Sequence, residues 1–266
     1  MAQPISTTLL PEFQEIHVTS SLDGSREPSL LWMPGGGEAP TALVVGLHTW
    51  SADRFNQQGP MLEFCEERRW ALLLPEFRGP NLEKNPRATE AGGSRLACRD
   101  IVDATREAQN RLGLENTPVF LHGGSGGGHM ALQTSAREDF AWTAVSSWCP
   151  ITDLAAWHEQ NKNYSRHIAA VCGGPPNATT AHEYHDRSPL HRSEALAKIN
   201  LLLAHGRQDA SVPQSHSWRL ATAIESHNPR QFYFQIFDGT HEIHHDVAFR
   251  FFDRCIQRQN QSELTG

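Results

Sequence analysis

Ser125 stands among glycines in the stretch HGGSGGGH, a sequence context in which a serine can act as a nucleophile. Ser125 lies directly after an apolar run that reads as a buried strand and directly before an alanine-rich run that favours a helix. At such a strand-to-helix turn the serine backbone is strained, and the residues two before and two after it must be small so that strand and helix can pack closely. Gly123 and Gly127 meet that requirement. The stretch therefore predicts a nucleophile elbow at Ser125.

Two phosphate-binding loops are the alternative interpretations of these glycines. A P-loop ends in Gly-Lys followed by Ser or Thr, and no such pair follows here. A dinucleotide-binding fingerprint needs a third glycine where His129 stands, and it usually lies in the first strand–helix unit of a chain. The pattern G-x-S-x-G by itself arises by chance in about one chain in ten of this length. Its meaning therefore depends on partner residues elsewhere in the chain.

A serine hydroxyl becomes a nucleophile when a base takes its proton, and a third group must orient that base. In folds with a nucleophile elbow, an acid and then a histidine follow the serine at the ends of late strands. Asp209 follows the strand-like run INLLLAHG, and His241 follows the run RQFYFQIF. We therefore predict a catalytic triad with Ser125 as nucleophile, Asp209 as orienting acid and His241 as general base.

Three nearby residues compete for these roles. Asp238 is a second candidate acid, and His244 is the second choice for the base. His241, His244 and His245 stand at i, i+3 and i+4, so on a helix they would share one face and could be read as metal ligands. No further motif of recognised metal spacing supports that reading. A surface cluster of hydrogen-bonded histidines is the favoured interpretation, and we predict no metal site.

Acyl transfer also needs N–H donors for the oxyanion that develops on the carbonyl group. The backbone N–H of Gly126, next to the nucleophile, is the first expected donor. The loop after the third strand, LHTWSAD, should supply the second, and Trp50 stands at that position. Because the donor is main chain, the Trp50 side chain remains free to act as a core residue or a pocket wall.

The rest of the chain alternates short apolar runs with longer runs of helical spacing. FQEIHVTSS and SLLWMP read as an antiparallel pair, and TALVVGLH and ALLLPEF read as strands buried on both faces. Strand and helix then alternate to the end of the chain. The pattern predicts an α/β fold over residues 1–266, a doubly wound and mostly parallel sheet with an antiparallel N-terminal edge. Beside the helix after Ser125, helices are predicted near 53–68, 94–112, 214–226 and 242–258.

Residues 151–188 interrupt this rhythm with a long stretch rich in Trp, Tyr, Asn and His. Long insertions at the C-terminal edge of a parallel sheet are usually functional, so we predict a cap-like insertion over the active site. The alternative is a solvated surface excursion without contact to a substrate. The residues expected to wall the pocket are Trp157, His158, Asn161, Asn163 and Tyr164.

Composition narrows the classes of function. A formal net charge of −7 disfavours nucleic acid or an anionic membrane as partner. No apolar stretch approaches the roughly 18 residues of a membrane span, and the first residues lack the features of a signal peptide, so a cytoplasmic protein is expected. The cysteines form an odd set without C-x-x-C spacing, which predicts small core residues rather than disulfides or a zinc site. They are Cys65, Cys98, Cys149, Cys172 and Cys255.

Together these motifs resemble the α/β-hydrolase superfamily, and within it the catalytic domain of the prolyl oligopeptidase-like (S9) branch, which also contains small esterases. The resemblance runs from about residue 28 to residue 256, and HG-x-x-D-x-x-VP followed about thirty residues later by G-x-H-E is fairly specific to that branch. It implies the triad named above, with the amides of Gly126 and Trp50 as oxyanion donors. The motifs that carry it are LHTWS, EFRGPN, DIVDA, HGGSGGGHMAL, SPL, LLLAHGRQDASVP and GTHE.

Two departures from the branch shape the expected activity. Thr49, followed by Trp50, stands where the branch usually has a small residue, and no N-terminal propeller precedes the hydrolase pattern. We therefore expect a serine esterase without a cofactor, whose partner is a small-molecule ester of a short acyl group, such as an acetylated sugar or an aryl acetate. The alternatives are a serine peptidase of the prolyl oligopeptidase-like type that acts on short peptides, and a non-catalytic ligand-binding protein. Assembly into a homo-oligomer is left open.

Overall fold

The computed structural model describes residues 9, 10 and 12–265. Within this part of the chain one eight-stranded sheet carries helices on both of its faces. The strands are β1 (Gln14–Thr19), β2 (Arg26–Trp32), β3 (Leu43–Leu47), β4 (Ala71–Pro75), β5 (Val119–Gly124), β6 (Ala144–Trp148), β7 (Asn200–Gly206) and β8 (Gln231–Phe237). The helices are α1 (Gln58–Arg68), α2 (Arg95–Leu112), α3 (Gly126–Arg137), α4 (Leu154–Gln160), α5 (Ser165–Val171), α6 (Ala181–Asp186), α7 (Ser193–Leu196), α8 (Ser215–Glu225) and α9 (His245–Thr265), with short 3₁₀ turns at Arg54–Gln57, Ala88–Glu90 and Pro189–Arg192.

The strand order is β1-β2-β4-β3-β5-β6-β7-β8. β1 pairs with β2, and β2 with β4, in antiparallel fashion, whereas β4, β3 and β5 to β8 run parallel. This arrangement confirms the predicted doubly wound sheet with an antiparallel N-terminal edge. Because the parallel strands end at the same edge of the sheet, the loops after β3, β5, β7 and β8 converge there.

Each face of the sheet buries its own apolar core. Along β3, the side chains of Leu43, Val45 and Leu47 face the core formed with α2, α3 and α8, whereas Val44 faces the core formed with α1 and α9. Successive side chains of a strand point to opposite faces, so a strand covered on both sides must be apolar at nearly every position. This is why the central strands appear in the sequence as continuous apolar runs.

Local signals fix the ends of the long helix α2. The Ser94 hydroxyl accepts a hydrogen bond from the N–H of Ala97, which satisfies one of the free donors of the first turn. Gly113 ends the helix in the left-handed region, with φ of 66°. A capping serine and a terminating glycine thus stand where the sequence predicts this helix to begin and end.

The insertion at residues 151–188 folds into α4, α5 and α6 around a small core of its own. Trp50, from the loop after β3, and Val212, from the loop after β7, belong to the same apolar cluster. The Arg187 guanidinium anchors the insertion to the body of the protein by donating to the carbonyl oxygens of Ala91 and Thr89, at 2.7 and 2.8 Å. The insertion is therefore packed onto the loops at the C-terminal edge of the sheet, and we refer to it as the cap.

All five cysteines are buried and free, which confirms their expected role as small core residues. No helix in the described residues combines the length and the apolar character that crossing a bilayer requires.

Buried histidines make the stability of this fold depend on pH. Burial lowers the pKa of His48, His129 and His216 from 6.5 to about 4, and that of His122 well below 6.5. The unfolded chain therefore binds protons below pH 6.5 that the folded chain does not bind. We expect the free energy of unfolding to be highest above pH 7 and to fall between pH 6.5 and 4 by about 1.4 kcal/mol per pH unit for each such histidine.

Urea unfolding at half-unit steps between pH 4.5 and 7.5 measures this dependence. His216→Gln should make the slope shallower by about one proton, while the same change at the exposed His227 should leave it unaltered. A free energy of unfolding that stays constant between pH 6.5 and 4.5 would contradict the prediction.

Candidate active site

Ser125 occupies the turn between β5 and α3, and its backbone is strained. Its φ and ψ are 55° and −121°, a region that residues other than glycine rarely enter and that costs about 1–3 kcal/mol. The turn is held because the Ser125 N–H donates to the carbonyl oxygen of Trp148 at 2.8 Å and the Ser125 carbonyl oxygen accepts from the N–H of His129 at 2.9 Å. The Ser125 side chain is only half-buried, so a substrate can reach it.

Glycines make the strained turn sterically feasible. A Cβ atom on Gly123 would overlap the backbone of Gly127, and a Cβ atom on Gly127 would overlap the carbonyl oxygen of Leu47 in β3. β5, α3 and β3 are thus in backbone contact at the elbow. The predicted need for small residues at positions 123 and 127 is confirmed.

His241, in the loop after β8, meets Asp209, in the loop after β7. The His241 Nδ1 atom lies 2.6 Å from Asp209 Oδ2. The Asp209 side chain is fully buried, whereas that of His241 is 30% exposed. With Nδ1–H donated to the carboxylate, Nε2 is the ring atom left to accept a proton from another group.

Four donors surround the Asp209 carboxylate. Oδ1 accepts the N–H groups of Ser211 and Val212, at 2.8 and 2.9 Å, and Oδ2 lies 3.3 Å from His205 Nε2 as well as against His241. Burial alone would raise the pKa of Asp209, but the hydrogen bonds from His205 and His241 hold that pKa well below its usual range. Asp209 is therefore an anion at neutral pH.

The loop that carries His241 packs directly against the elbow. A Cβ atom on Gly124, the residue before Ser125, would overlap the side chain of Ile243, two residues after His241. Only glycine permits so close an approach at this position. The loops of the predicted base and nucleophile are thus in van der Waals contact.

Cys149, directly after β6, holds the same loop from the side of the sheet. Its thiol points at the carbonyl oxygens on either side of His241, with Sγ 3.4 Å from Glu242 O and 3.9 Å from Thr240 O. Sequence reasoning assigned Cys149 only to the core. The available signal was its position at the end of a predicted strand, where the catalytic loops converge.

The two amides predicted to form the oxyanion hole lie side by side. A Cβ atom on Gly126 would overlap the backbone nitrogen of Trp50. Gly126 is the first residue of α3, where the N–H has no acceptor within the helix. The Trp50 loop is held in place because the His48 ring donates from Nδ1 to Thr49 O at 2.9 Å, and the Thr49 N–H donates to Asn56 Oδ1 at 3.1 Å.

A second buried pair lies beneath the Trp50 loop. His48 Nε2 is 3.6 Å from Glu76 Oε1, and the His48 ring stacks on Phe77 with centroids 3.9 Å apart. Burial lowers the pKa of His48 to about 4 and raises the pKa of Glu76 to about 7. Burial favours the neutral forms of both groups, while the Arg54 guanidinium donates to Glu76 Oε2 at 3.2 Å, so the loop rests on a buried and closely packed base.

The competing histidines point away from the buried aspartate. α9 begins only at His245, and the residues directly before it are not helical, so His241, His244 and His245 do not share a helical face. His244 stacks on Trp148 with ring centroids 5.3 Å apart, and His245 Nδ1 lies 3.0 Å from the buried His122 Nε2. They are therefore not a surface cluster but three side chains with separate partners.

The competing acid lies on the surface, where Asp238 Oδ1 lies 3.0 Å from Arg207 Nε. Among the described residues, the one group whose ligand atoms are close enough to hold a metal is Cys149, His205 and Asp209, within 4.8 Å of one another. It does not include His241 or its neighbours. Its histidine and its carboxylate are already engaged in hydrogen bonds.

The cap places its predicted pocket residues in different environments. Trp157 is 1% exposed, packs edge-on against Trp50 with centroids 5.0 Å apart, and donates from Nε1 to Ser211 O at 2.9 Å. It is a core residue that joins the cap to the loops after β3 and β7, rather than an exposed pocket wall. Tyr164, which stacks on Trp157, and His158 are half-buried, and their contact with a substrate stays a prediction.

The chain is similar to several known proteins. The uncharacterized peptidase YtmA of Bacillus subtilis strain 168 is 25% identical over 172 residues, which are 64% of this chain and 64% of that protein. An acylaminoacyl peptidase of Pyrococcus horikoshii has a TM-score of 0.68 at 17% identity, over 96% of this chain and 42% of that chain. A puromycin-hydrolyzing peptidase of Mycobacterium tuberculosis has a TM-score of 0.68 at 19% identity, over 90% of this chain and 37% of that chain.

The likeness to the solved structures establishes the α/β-hydrolase fold, although this chain spans less than half of either of them. The family model described as the prolyl oligopeptidase family matches residues 93–258, which contain Ser125, Asp209 and His241. Because that match covers more than half of the chain and agrees with the motifs, the protein belongs to the prolyl oligopeptidase family, peptidase family S9.

Proposed function

We propose that the protein is a serine peptidase that cleaves an amide bond of short peptides or aminoacyl amides through an acyl-enzyme on Ser125. The observation that carries this proposal is the 2.6 Å hydrogen bond between His241 and the buried Asp209, in a loop packed against the elbow. A strained, accessible serine, in a turn that touches the loop of a base oriented by a buried anion, supports acyl transfer as the reaction.

We infer a mechanism in which each predicted site residue has one role. Ser125 Oγ attacks the carbonyl carbon while His241 Nε2 takes its proton, and Asp209 holds the Nδ1–H tautomer and stabilises the imidazolium. The adjacent N–H groups of Gly126 and Trp50 donate to the oxyanion. His241 then gives its proton to the leaving amine, and a water molecule activated by the same base releases the acyl group.

Family membership favours a peptidase over the short-acyl esterase expected from the sequence. The Bacillus subtilis relative is named a peptidase, and the two solved structures are described as an acylaminoacyl peptidase and a puromycin-hydrolyzing peptidase. An acyl-enzyme site that can expel an amine can also expel an alcohol, which is a better leaving group. Turnover of an activated ester is therefore expected of either enzyme, and only amide cleavage separates the two.

The position of the cap supports a small substrate. The cap packs on both the Trp50 loop and the loop of Asp209, through Trp157 and its hydrogen bond to Ser211. It therefore stands beside the predicted scissile position. The cap would sterically obstruct a folded polypeptide, whereas a short peptide or an aminoacyl amide needs only a narrow opening to reach Ser125.

The triad assignment predicts a collapse of activity on single substitutions. Ser125→Ala and His241→Ala should each lower kcat by about 10⁶-fold, because triad members act as a unit. In the wild type, a fluorophosphonate should label Ser125, as located by mass spectrometry of the digested protein. His244→Ala is the matched control and should retain activity, since His244 stacks on Trp148 away from Asp209. Loss of activity in the control together with activity in His241→Ala would assign the base to His244.

The oxyanion assignment predicts a selective effect at Gly126. In Gly126→Ala the added methyl group would push against the backbone nitrogen of Trp50 and separate the two donors, which should lower kcat by about 10²–10³-fold with a smaller change in KM. Gly59→Ala is the control, because a Cβ atom there meets nothing within 4 Å. Wild-type kcat in Gly126→Ala, with its melting temperature unchanged, would remove these amides from the mechanism.

The substrate class is tested with matched pairs that carry the same acyl group as a p-nitrophenyl ester and as a p-nitroanilide. For N-acetyl-alanyl and N-acetyl-phenylalanyl pairs, we expect both bonds to be cleaved, and amide cleavage to disappear in Ser125→Ala. Acetyl esters of sugars and p-nitrophenyl acetate serve as the esterase panel. Rapid turnover of acetyl esters without measurable cleavage of any amide would replace the peptidase by the esterase.

A further inference from the structure

A second histidine lies on the far side of the Asp209 carboxylate. His205, the next-to-last residue of β7, is completely buried, and its Nε2 atom lies 3.3 Å from Asp209 Oδ2 and 2.8 Å from the carbonyl oxygen of Val212. Its other ring nitrogen, Nδ1, is 2.7 Å from the hydroxyl oxygen of Ser217 in α8. His205 thus connects β7, α8 and the loop that carries the predicted acid.

The protonation of the Nε2 atom follows from its neighbours. A carbonyl oxygen and a carboxylate oxygen can only accept hydrogen bonds, so the Nε2 of His205 must carry a hydrogen and share it between them. The Ser217 hydroxyl can either donate to Nδ1 or accept from it. The donor that faces Asp209 is therefore present whichever charge the ring carries.

His205 also closes the loop that holds the acid. Its hydrogen bond to the Val212 carbonyl joins the end of β7 to a residue three positions after Asp209, while the N–H of Val212 donates to Asp209 Oδ1. His205 thereby holds the two ends of the loop together, and the carboxylate of Asp209 binds a backbone N–H within it. Rotation of the carboxylate would break its contacts with both the Val212 N–H and His205.

We propose that His205 is a positioning residue of the reaction: it fixes the acid loop and shares the negative charge of Asp209 with His241. The inference rests on the proposed function and adds a fourth residue to it. A carboxylate that already accepts one donor is a weaker acceptor for the next, so His205 moderates the hold of Asp209 on the protonated form of His241. Loss of the His205 donor would therefore strengthen the hold of Asp209 on protonated His241.

The titratable groups that face His205 come from four elements. They are Asp209 in its own loop, Cys149 at the end of β6, His216 in α8 and, across the carboxylate, His241 after β8. The pKa of the Cys149 thiol is raised to about 12, chiefly by burial, so Cys149 stays neutral in the range of the test. Burial lowers the pKa of His216 to about 4, so it is also neutral above pH 5.

Two isosteric substitutions separate the roles of the two ring nitrogens. His205→Gln places its amide nitrogen near the position of Nε2 and keeps a donor for Asp209, whereas His205→Asn reaches only the position of Nδ1 and loses that donor. Leu203→Ala is the matched control, because Leu203 lies two residues earlier on the same face of β7 and belongs to the apolar core. Its substitution weakens packing without touching the carboxylate.

The readout is the rate constant for labelling of Ser125 by diisopropyl fluorophosphate between pH 5 and 9. In this step a Ser125 Oγ–P bond forms, the P–F bond breaks, fluoride leaves and the serine proton passes to His241. The rate therefore rises with pH as His241 becomes neutral, and it needs no knowledge of the natural substrate. Melting temperatures are recorded for each variant.

His205→Asn should move the midpoint of this profile upward by about half a pH unit, because one charge-assisted hydrogen bond to Asp209 is lost, and should lower the plateau rate at least tenfold. His205→Gln should keep the midpoint of the wild type, and Leu203→Ala should keep it in spite of a lower melting temperature. Equal midpoints for the Asn and Gln variants, or the same shift in the control, would overturn the proposal. Absence of any labelling of Ser125 in the wild type would instead overturn the proposed function.

A measurement on the wild type keeps the proposal testable if a variant fails to fold. In protein with ¹⁵N-labelled histidine, the Nε2–H signal of His205 should be protected from exchange and should move as His241 titrates, because both rings donate to one carboxylate oxygen. A His205 signal that does not respond to the titration of His241 would overturn the proposal independently of any substitution.

Discussion

A buried carboxylate is the constraint around which the C-terminal half of this protein is organised. An ionised aspartate removed from water is strongly destabilising unless its oxygen atoms are supplied with donors. At Asp209 that supply comes from two backbone N–H groups of its own loop, from His205 in β7 and from His241 in the loop after β8. The turn after β7, the approach of the loop after β8 and the packing of β7 against α8 all serve to bring these donors together. The positions of His205 and His241 therefore follow from the need of the Asp209 carboxylate for hydrogen-bond donors.

The fold could be predicted from the sequence because its strongest determinants are periodic and local. Strands such as β3 and β4 are covered on both faces, so they appear as unbroken apolar runs. Ser94 and Gly113 mark the two ends of α2. The Ser94 hydroxyl accepts a hydrogen bond from the first turn, and Gly113 adopts the left-handed conformation that ends the helix. The elbow could be located for the same reason, since Gly123 and Gly127 are dictated by backbone contacts and not by the identity of the substrate.

What escaped prediction is a set of side-chain contacts that the sequence pattern does not show, even between residues as near in the chain as His205 and Asp209. Nothing in the local pattern around His205 or Cys149 shows that the former reaches Asp209 and that the latter touches the loop of His241. The run HEIHH has helical spacing, yet the chain turns there before α9 begins at His245, because the loop must present His241 to a buried anion. Trp157 looks like a pocket aromatic by composition and is a core residue by position. The predicted triad would likewise serve esters and amides alike, so the leaving group of the substrate is not encoded in it.

The shared core of the cap has a consequence for how this enzyme architecture can change. Trp50 lies in the loop after β3 and Val212 in the loop after β7, yet both are packed in one cluster with the cap residues Ile151, Trp157 and Ile168. A cap with its own separate core could be exchanged like a module, so that new specificities would arise by grafting. Here such a graft would also remove the apolar packing of Trp50 in the loop after β3 and of Val212 in the loop after β7. Local opening of the cap would destabilise both loops at once. New specificities in this lineage should therefore arise through point substitutions on the solvent side of the cap helices, while the aromatic seam beneath them stays intact.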